Sequence, residues 1–329
     1  MPNTLLITGG VGFIGSNYVA HVLSHRPNVR VVCLDALTYA AHLASVESAL
    51  ADPRFVLERA DIADKDAVYR IFERHRPHWV VNFAAESHVD RSIVHPDVFV
   101  RTNVVGTANL LDACLAYGVQ RYHQVSTDEV YGDLPLDSGD RFVEGDPLRP
   151  SSPYSASKAA GDMLTLAYHR TYGLAATVSR AGNNYGRHQF PEKLIPLCIL
   201  NALADKPIPV YGDGRNVRDW LWVEDHCRAI DLILQRGEAG EIYNVGGDAE
   251  RDNLHVVSAV LRALGKPLSL VTHVSDRPGH DRRYALDSAK LHALGWQPTM
   301  PFEDGLIGTV NWYVHNEKWW KPLVAKMSD

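Results

Sequence analysis

A strand that runs straight into a glycine-rich turn constrains this chain more than any other feature: Thr4-Leu-Leu-Ile-Thr-Gly9-Gly-Val-Gly12-Phe-Ile-Gly15. Gly9 permits a tight turn, Gly12 lets the backbone approach a pyrophosphate, and Gly15 lets the next helix sit close to the strand. The free N–H groups and positive end of that helix then face the phosphates. A plain glycine turn would account for the triplet alone. Its place in a first strand-to-helix step argues for a phosphate cradle.

The first half of the chain repeats that step. Short β-branched runs at Thr4–Thr8, Val29–Leu34, Arg54–Leu57, Trp79–Phe83, Arg121–Ser126 and Ala175–Ser179 alternate with helix-length stretches near Phe13–His25, Ala40–Ala51, Asp64–Arg76, Val98–Tyr117 and Pro153–Tyr172. Continuous apolar strands alternating with helices read as a parallel sheet covered on both faces. Right-handed crossovers make it doubly wound. From about Asn183 the pattern loosens, with helical stretches near Pro191–Asp205, Val223–Gln235, Leu254–Leu264 and Phe302–Asn316 between Gly/Pro-rich loops. The expected organisation is α/β: residues 1–182 as a dinucleotide-binding domain and 183–329 as a smaller C-terminal substrate-binding lobe.

Composition removes several function classes. The net charge is −6 and no Lys/Arg run stands out, which argues against nucleic acid or an anionic membrane as partner. No apolar run reaches the length of a membrane span, and no basic, apolar leader opens the chain. Cys33, Cys114, Cys198 and Cys227 form no CxxC pair, which suits a reducing, cytoplasmic setting, and no His/Cys cluster indicates a metal.

Chemistry gathers at the carboxyl ends of the strands. The second strand ends in Asp35, about 20 residues past the glycine turn, where a carboxylate can bond the adenosine ribose diol. The same charge repels a 2′-phosphate, so NAD is favoured over NADP. Asp61 and Ile62 follow the third strand and suit the adenine edge, although an Asp there is often only a turn residue. Tyr154 and Lys158 form YxxxK behind the stop signal Pro150-Ser-Ser-Pro153. Residues four apart share a helix face, so phenol and ammonium point into one site. The cation favours phenolate and makes Tyr154 a usable base, while Lys158 also reaches the nicotinamide ribose. The fifth strand ends in Thr127-Asp128-Glu129. Thr127 offers a hydroxyl beside Tyr154. A solvated loop could carry two such acids, but beside a redox centre they supply a general acid and a general base in different environments.

Together the segments GGVGFIGS (9–16), DALTYA (35–40), AAESHVDRSI (84–93), STDEVYG (126–132), YSASK (154–158), NNYG (183–186), QFPEKLIP (189–196), RDWLW (218–222) and DRPGHDRR (276–283) resemble the dTDP-glucose 4,6-dehydratases, from Leu5 to about Leu306. That family belongs to the extended short-chain dehydrogenase/reductases with a Rossmann sheet. The resemblance implies a closed redox cycle on NAD. Tyr154 takes the C4 hydroxyl proton, Glu129 removes the C5 proton, Asp128 protonates the departing C6 hydroxyl, and Thr127 orients C4. The resemblance places Phe13, Ile14, Asp35, Leu37, Thr38, Asp61, Ile62, Ala84, Ser87, Thr102 and Asn184 around NAD. It places Ser87, Thr127, Asn183, Lys193, Leu194, Tyr211, Arg218, Asn253, Asp276, Arg277 and His280 around the sugar nucleotide. Lys193, Arg218 and Arg277 suit a diphosphate. A homodimer through the helices around Val98–Tyr117 and Pro153–Tyr172 is also implied.

The chain departs from the family pattern at Arg180-Ala-Gly182 before NNYG and at Arg187-His188 after it. Two alternatives share the cradle and YxxxK: a dehydratase acting on UDP-glucose, and a UDP-sugar 4-epimerase. The epimerases carry small residues where Asp128 and Glu129 stand. A non-catalytic NAD-binding sensor on the same fold would be expected to have lost part of Thr127, Tyr154 or Lys158.

Overall fold

A computed structural model of the chain describes residues 3–276 and 278–328, which leaves Arg277 outside the described residues. Seven parallel strands form the central sheet: β1 (Asn3–Thr8), β2 (Val29–Asp35), β3 (Phe55–Arg59), β4 (Trp79–Asn82), β5 (Arg121–Thr127), β6 (Ala176–Ala181) and a late strand, Ile242–Val245. Across the sheet the order is β3-β2-β1-β4-β5-β6, then Ile242–Val245. The direction of winding reverses between β1 and β4, and the crevice at such a switch point is where an open α/β sheet takes its ligand. β-Branched and apolar residues fill both faces. Leu5, Ile7, Val31 and Cys33 pack with Tyr18 and Val22 on one side, whereas Leu6, Val32, Leu34 and Val80 pack with Phe72 and Leu110 on the other.

The helix Pro153–Tyr172 has the extent that the sequence implies. A capping box closes its start, with Ser152 and Ser155 exchanging bonds and Pro153 in the first turn, and Gly173 ends it in the left-handed conformation.

Other elements differ from the sequence expectation. The stretch Ala40–Ala51 is not one helix. Only Leu43–Val46 and Glu47–Leu50 are helical, because Tyr39 and Ala40 instead pack against the C-terminal core. The stretch Val98–Tyr117 enters through two short helices, Val89–Val94 and Pro96–Phe99, and a π-helical segment, Val100–Gly106, before the α-helix Thr107–Ala116.

Residues beyond 182 form two smaller sheets. Asn183–Tyr185, Val217–Trp222 and Glu250–Asp252 make one, and Ile208–Tyr211 with Val271–Val274 makes the other. Their core includes Ile195, Ile199, Trp220, Val256, Phe302 and Tyr313. This part also returns two elements to the main sheet: the strand Ile242–Val245, paired with β6, and the helix Val223–Arg236, whose Cys227 and Ile230 pack in the core beneath β1 and β5.

Candidate active site

The glycine turn has the geometry that a cradle requires. Gly9 sits at φ +66°, and a Cβ there would come 2.7 Å from Ala84 N. A Cβ on Gly15 would stand 2.2 Å from Gly9 O, so only glycine lets the helix Phe13–His25 approach the turn. On Gly12 a Cβ would meet nothing within 4 Å except Gly9 O at 3.3 Å. Gly12 therefore borders open cavity, and no side chain caps the helix behind it. A dinucleotide pyrophosphate fits this arrangement.

The cavity spans about 590 Å³ along the carboxyl ends of β1, β2, β4, β5 and β6. Its walls bring together Gly9, Gly12, Phe13, Ile14, Gly15, Asp35, Thr38, Asp61, Ile62, Ala84, Ser87, Thr102, Thr127, Asp128, Glu129, Tyr154, Lys158, Asn183, Asn184 and Lys193. Asp35 is buried. Its oxygens accept from Val11 N at 2.9 Å and Leu37 N at 2.8 Å, and burial pushes its carboxyl above the usual range against those two bonds. This anchors the loop after β2 and holds Leu37 at φ +54°. The Leu37 side chain packs into the core beneath β1 and β2 rather than into the cavity wall. Asp61 caps its own turn, accepting from Ala63 N, and pairs with Arg101 at 3.7 Å.

At the other end stands the reactive group of side chains. Lys158 Nζ donates to Val125 O at 2.7 Å. Burial lowers its pKa to about 8, with Asp162 working the other way. Asp162 is itself paired with Arg180 at 2.9 Å, both fully buried. Burial, then Glu129 and Asp128, pushes the Tyr154 phenol above its ordinary value, and a hydrogen bond with Thr127 opposes the rise. Lys158 spends its ammonium on a strand carbonyl, and the phenol faces acids.

The two carboxyls differ in burial. Asp128 is 1% exposed, its Oδ2 has no hydrogen-bond partner among the described residues, and burial, then Glu129 and Asp219, push its carboxyl well above the usual carboxylate range against the pull of Arg218. Glu129 is only partly buried, its amide donating to Thr127 Oγ1 at 3.3 Å. A buried carboxyl with a raised pKa next to a more accessible one can divide the roles of acid and base.

Several expected substrate residues lie outside this cavity wall. Arg218 donates to Asp281 O at 3.0 Å and stacks on Tyr284 at 4.4 Å. Tyr211 reaches Asp90 at 3.5 Å and lies edge-on to His280, which bonds Asp276 at 2.6 Å. Asn253 opens the helix Asn253–Ala263, and Leu194 opens the helix Leu194–Leu203. Lys193, at the rim, donates to Ser87 O at 3.2 Å.

The departures from the family pattern are accommodated locally. Arg187 and Asn17 bond each other twice, at 2.9 and 3.1 Å. Gly182 is required by the backbone of Asp219, 2.6 Å from where a Cβ would be.

Sequence reasoning missed three supports. Asn103 clasps both backbone groups of Glu86 and bonds Ser157, tying the loop after β4 to the Tyr154 helix. Asp219 stands behind Asp128, and His226 lines the cavity beside Asn184. None of the three sits in a glycine turn or a YxxxK-type spacing.

Comparison with known proteins agrees with this geometry. A protein from Xanthomonas campestris named dTDP-glucose 4,6-dehydratase is 50% identical, over 96% of this chain and 94% of its own. The crystal structure of dTDP-glucose 4,6-dehydratase from Streptomyces venezuelae with NAD and TYD bound superposes with a TM-score of 0.94 at 48% identity, covering 97% of this chain and 99% of that one. The Thermus thermophilus UDP-glucose 4-epimerase complex with NAD gives 0.88 at 35% identity, covering 95% and 99%. The model of the family described as GDP-mannose 4,6 dehydratase matches residues 6–309, and the chain belongs to that family.

Proposed function

We propose that the chain dehydrates dTDP-glucose to the 4-keto-6-deoxy sugar nucleotide, as an NAD-dependent hydro-lyase. The observation that carries this reading is the pair Asp128 and Glu129 in one cavity with Tyr154. Epimerisation at C4 needs no acid–base pair for water loss.

The glycine cradle, Asp35, Asp61 and Lys158 hold NAD, which supplies a hydride acceptor at C4 and a hydride donor at C6. Tyr154 receives the C4 hydroxyl proton while Thr127 orients that hydroxyl. Burial and two acids resist the phenolate, so Tyr154 works as base only when positive charge stands nearby. Glu129 then removes the C5 proton, acidified by the C4 ketone, and Asp128 delivers its proton to the leaving C6 hydroxyl.

Ser87, Asn183 and Lys193 border the sugar end. Leu194, Tyr211, Arg218, Asn253, Asp276 and His280 are assigned on this reading to the diphosphate and base of the substrate. On this reading residues 1–182 hold NAD and 183–329 hold the sugar nucleotide, with Val223–Arg236 and Ile242–Val245 bridging back. Val98, Val100, Val105, Met163 and Tyr172 are exposed on the helices assigned to a homodimer. Among the described residues no helix is long and apolar enough to cross a membrane. Four free, buried cysteines support a cytoplasmic setting.

The test is mass spectrometry of products from dTDP-glucose and UDP-glucose in parallel. Loss of one water from dTDP-glucose supports the reading. A galacto-configured product of unchanged mass overturns it.

A further inference from the structure

His226 has no part in the reaction just described. It is the fourth residue of the helix Val223–Arg236, fully buried, and stands in the cavity wall with Gly182, Asn183 and Asn184. Its Nδ1 lies 2.9 Å from Asn184 Oδ1, and Asn184 Nδ2 donates to Gly182 O at 3.1 Å. An amide anchored that way turns its oxygen to the ring, so Nδ1 carries the proton. Burial drops the imidazole pKa to about 3, so the ring is neutral. Nε2 is then a bare acceptor, buried and without a hydrogen-bond partner among the described residues. Buried acceptors are seldom left unmatched, and one on a residue that lines a cavity points to a donor from outside the chain.

The position narrows the donor. Asn183 and Asn184 follow β6, whose Ala181 is in register with Thr127 of β5, next to Tyr154 and Lys158. Asp35, which takes the ribose diol, lies at the far end, on β2. His226 therefore serves the end where the ring that exchanges hydride must lie. The neutral N–H donor of a nicotinamide is its carboxamide. We infer that His226 Nε2 accepts a hydrogen bond from the nicotinamide carboxamide, with Asn184 locking the imidazole in the tautomer that leaves Nε2 free. This fixes the rotation of the ring and so the face offered to the sugar. The inference rests on the reading that NAD occupies this cavity with its nicotinamide end beside Tyr154.

The experiment is displacement of labelled NAD from the holoenzyme by unlabelled NAD or by 3-acetylpyridine adenine dinucleotide, which has a methyl ketone in place of the amide. Wild type is expected to favour NAD roughly tenfold, the net worth of one hydrogen bond. His226→Asn keeps a donor near the Nδ1 position but places nothing at Nε2, and it should erase most of that preference. ¹⁵N NMR of the wild-type imidazole provides a second readout, with NAD shifting Nε2 and the analogue leaving it unmoved. Equal displacement of wild type by both dinucleotides, or a tenfold preference retained in His226→Asn, would overturn the inference alone. Failure of wild type to hold labelled NAD at all would overturn the cofactor reading, and the inference with it.

Discussion

Asp219→Asn isolates a buried carboxyl whose charge acts on Asp128. Asp219 is fully buried, and its Oδ1 accepts from Gly247 N at 3.2 Å and Ala249 N at 3.0 Å. Burial is the main cause that raises its pKa from 3.8 to about 6. A folded-state value above the unfolded one contributes stability that is complete below about pH 3.8 and is lost as pH rises to about 6. A rise of roughly two pH units, at about 1.4 kcal/mol each, gives about 3 kcal/mol. An asparagine keeps the acceptor oxygen and removes the ionisation. The variant should therefore match wild type near pH 4 and exceed it by up to about 3 kcal/mol at pH 7.5 in urea unfolding. The same substitution removes a negative neighbour that helps raise the Asp128 pKa. The alkaline limb of the pH–rate profile should then move to lower pH, because the acid form of Asp128 is lost sooner. A variant less stable than wild type at pH 7.5, or a stability difference that does not change between pH 4 and 7.5, would refute the reasoning.

Three further substitutions probe separate parts of the account. Tyr154→Phe should retain bound NAD yet form bound NADH on mixing with dTDP-glucose at least 100-fold more slowly, read by stopped-flow absorbance, since positioned bases are worth about that much or more. Gly15→Ala would place a methyl 2.2 Å from Gly9 O and 2.8 Å from Gly10 Cα. The helix must back away, at about 1–3 kcal/mol, and NAD retention after gel filtration should fall. Asp162→Ala leaves the guanidinium of Arg180 buried between Tyr131 and an empty site. A loss of about 3–5 kcal/mol in urea unfolding is expected, and an unchanged midpoint would show the pair to be dispensable.

Much of the site could be read from local sequence, because its chemistry hangs on strand ends. The glycine turn, Asp35 at the close of β2, Thr127-Asp128-Glu129 at the close of β5 and YxxxK behind a proline stop each announce themselves within a few residues. What escaped depends on tertiary contact. Ala40 and Ala41 favour a helix by propensity, yet they line the cavity while Tyr39 packs on Phe190 and beneath Arg91. Ile242–Val245 is too short to stand out between Gly240 and Gly246, and pairing with β6 makes it a strand. The π-helical turn at Val100–Gly106 has no local signal, but it carries Asn103, whose amide clasps Glu86. His226 and Asp219 were invisible as site residues because a helix and an edge sheet from the second half of the chain bring them to a cavity built by the first. The acids that raise the Tyr154 pKa are likewise its neighbours through the fold.

The central claim is that Asp128 and Glu129 turn a redox cavity into a dehydrating one. It is tested most directly in the double variant Asp128→Asn, Glu129→Gln, mixed with dTDP-glucose while nicotinamide absorbance and product mass are followed together. Both amides keep the size of the acids, and Thr127, Tyr154 and Lys158 remain. C4 oxidation should therefore persist, bound NADH should accumulate, and dehydrated product should fall by about two to four orders of magnitude. Water loss at the wild-type rate, with no NADH accumulating, would contradict the account.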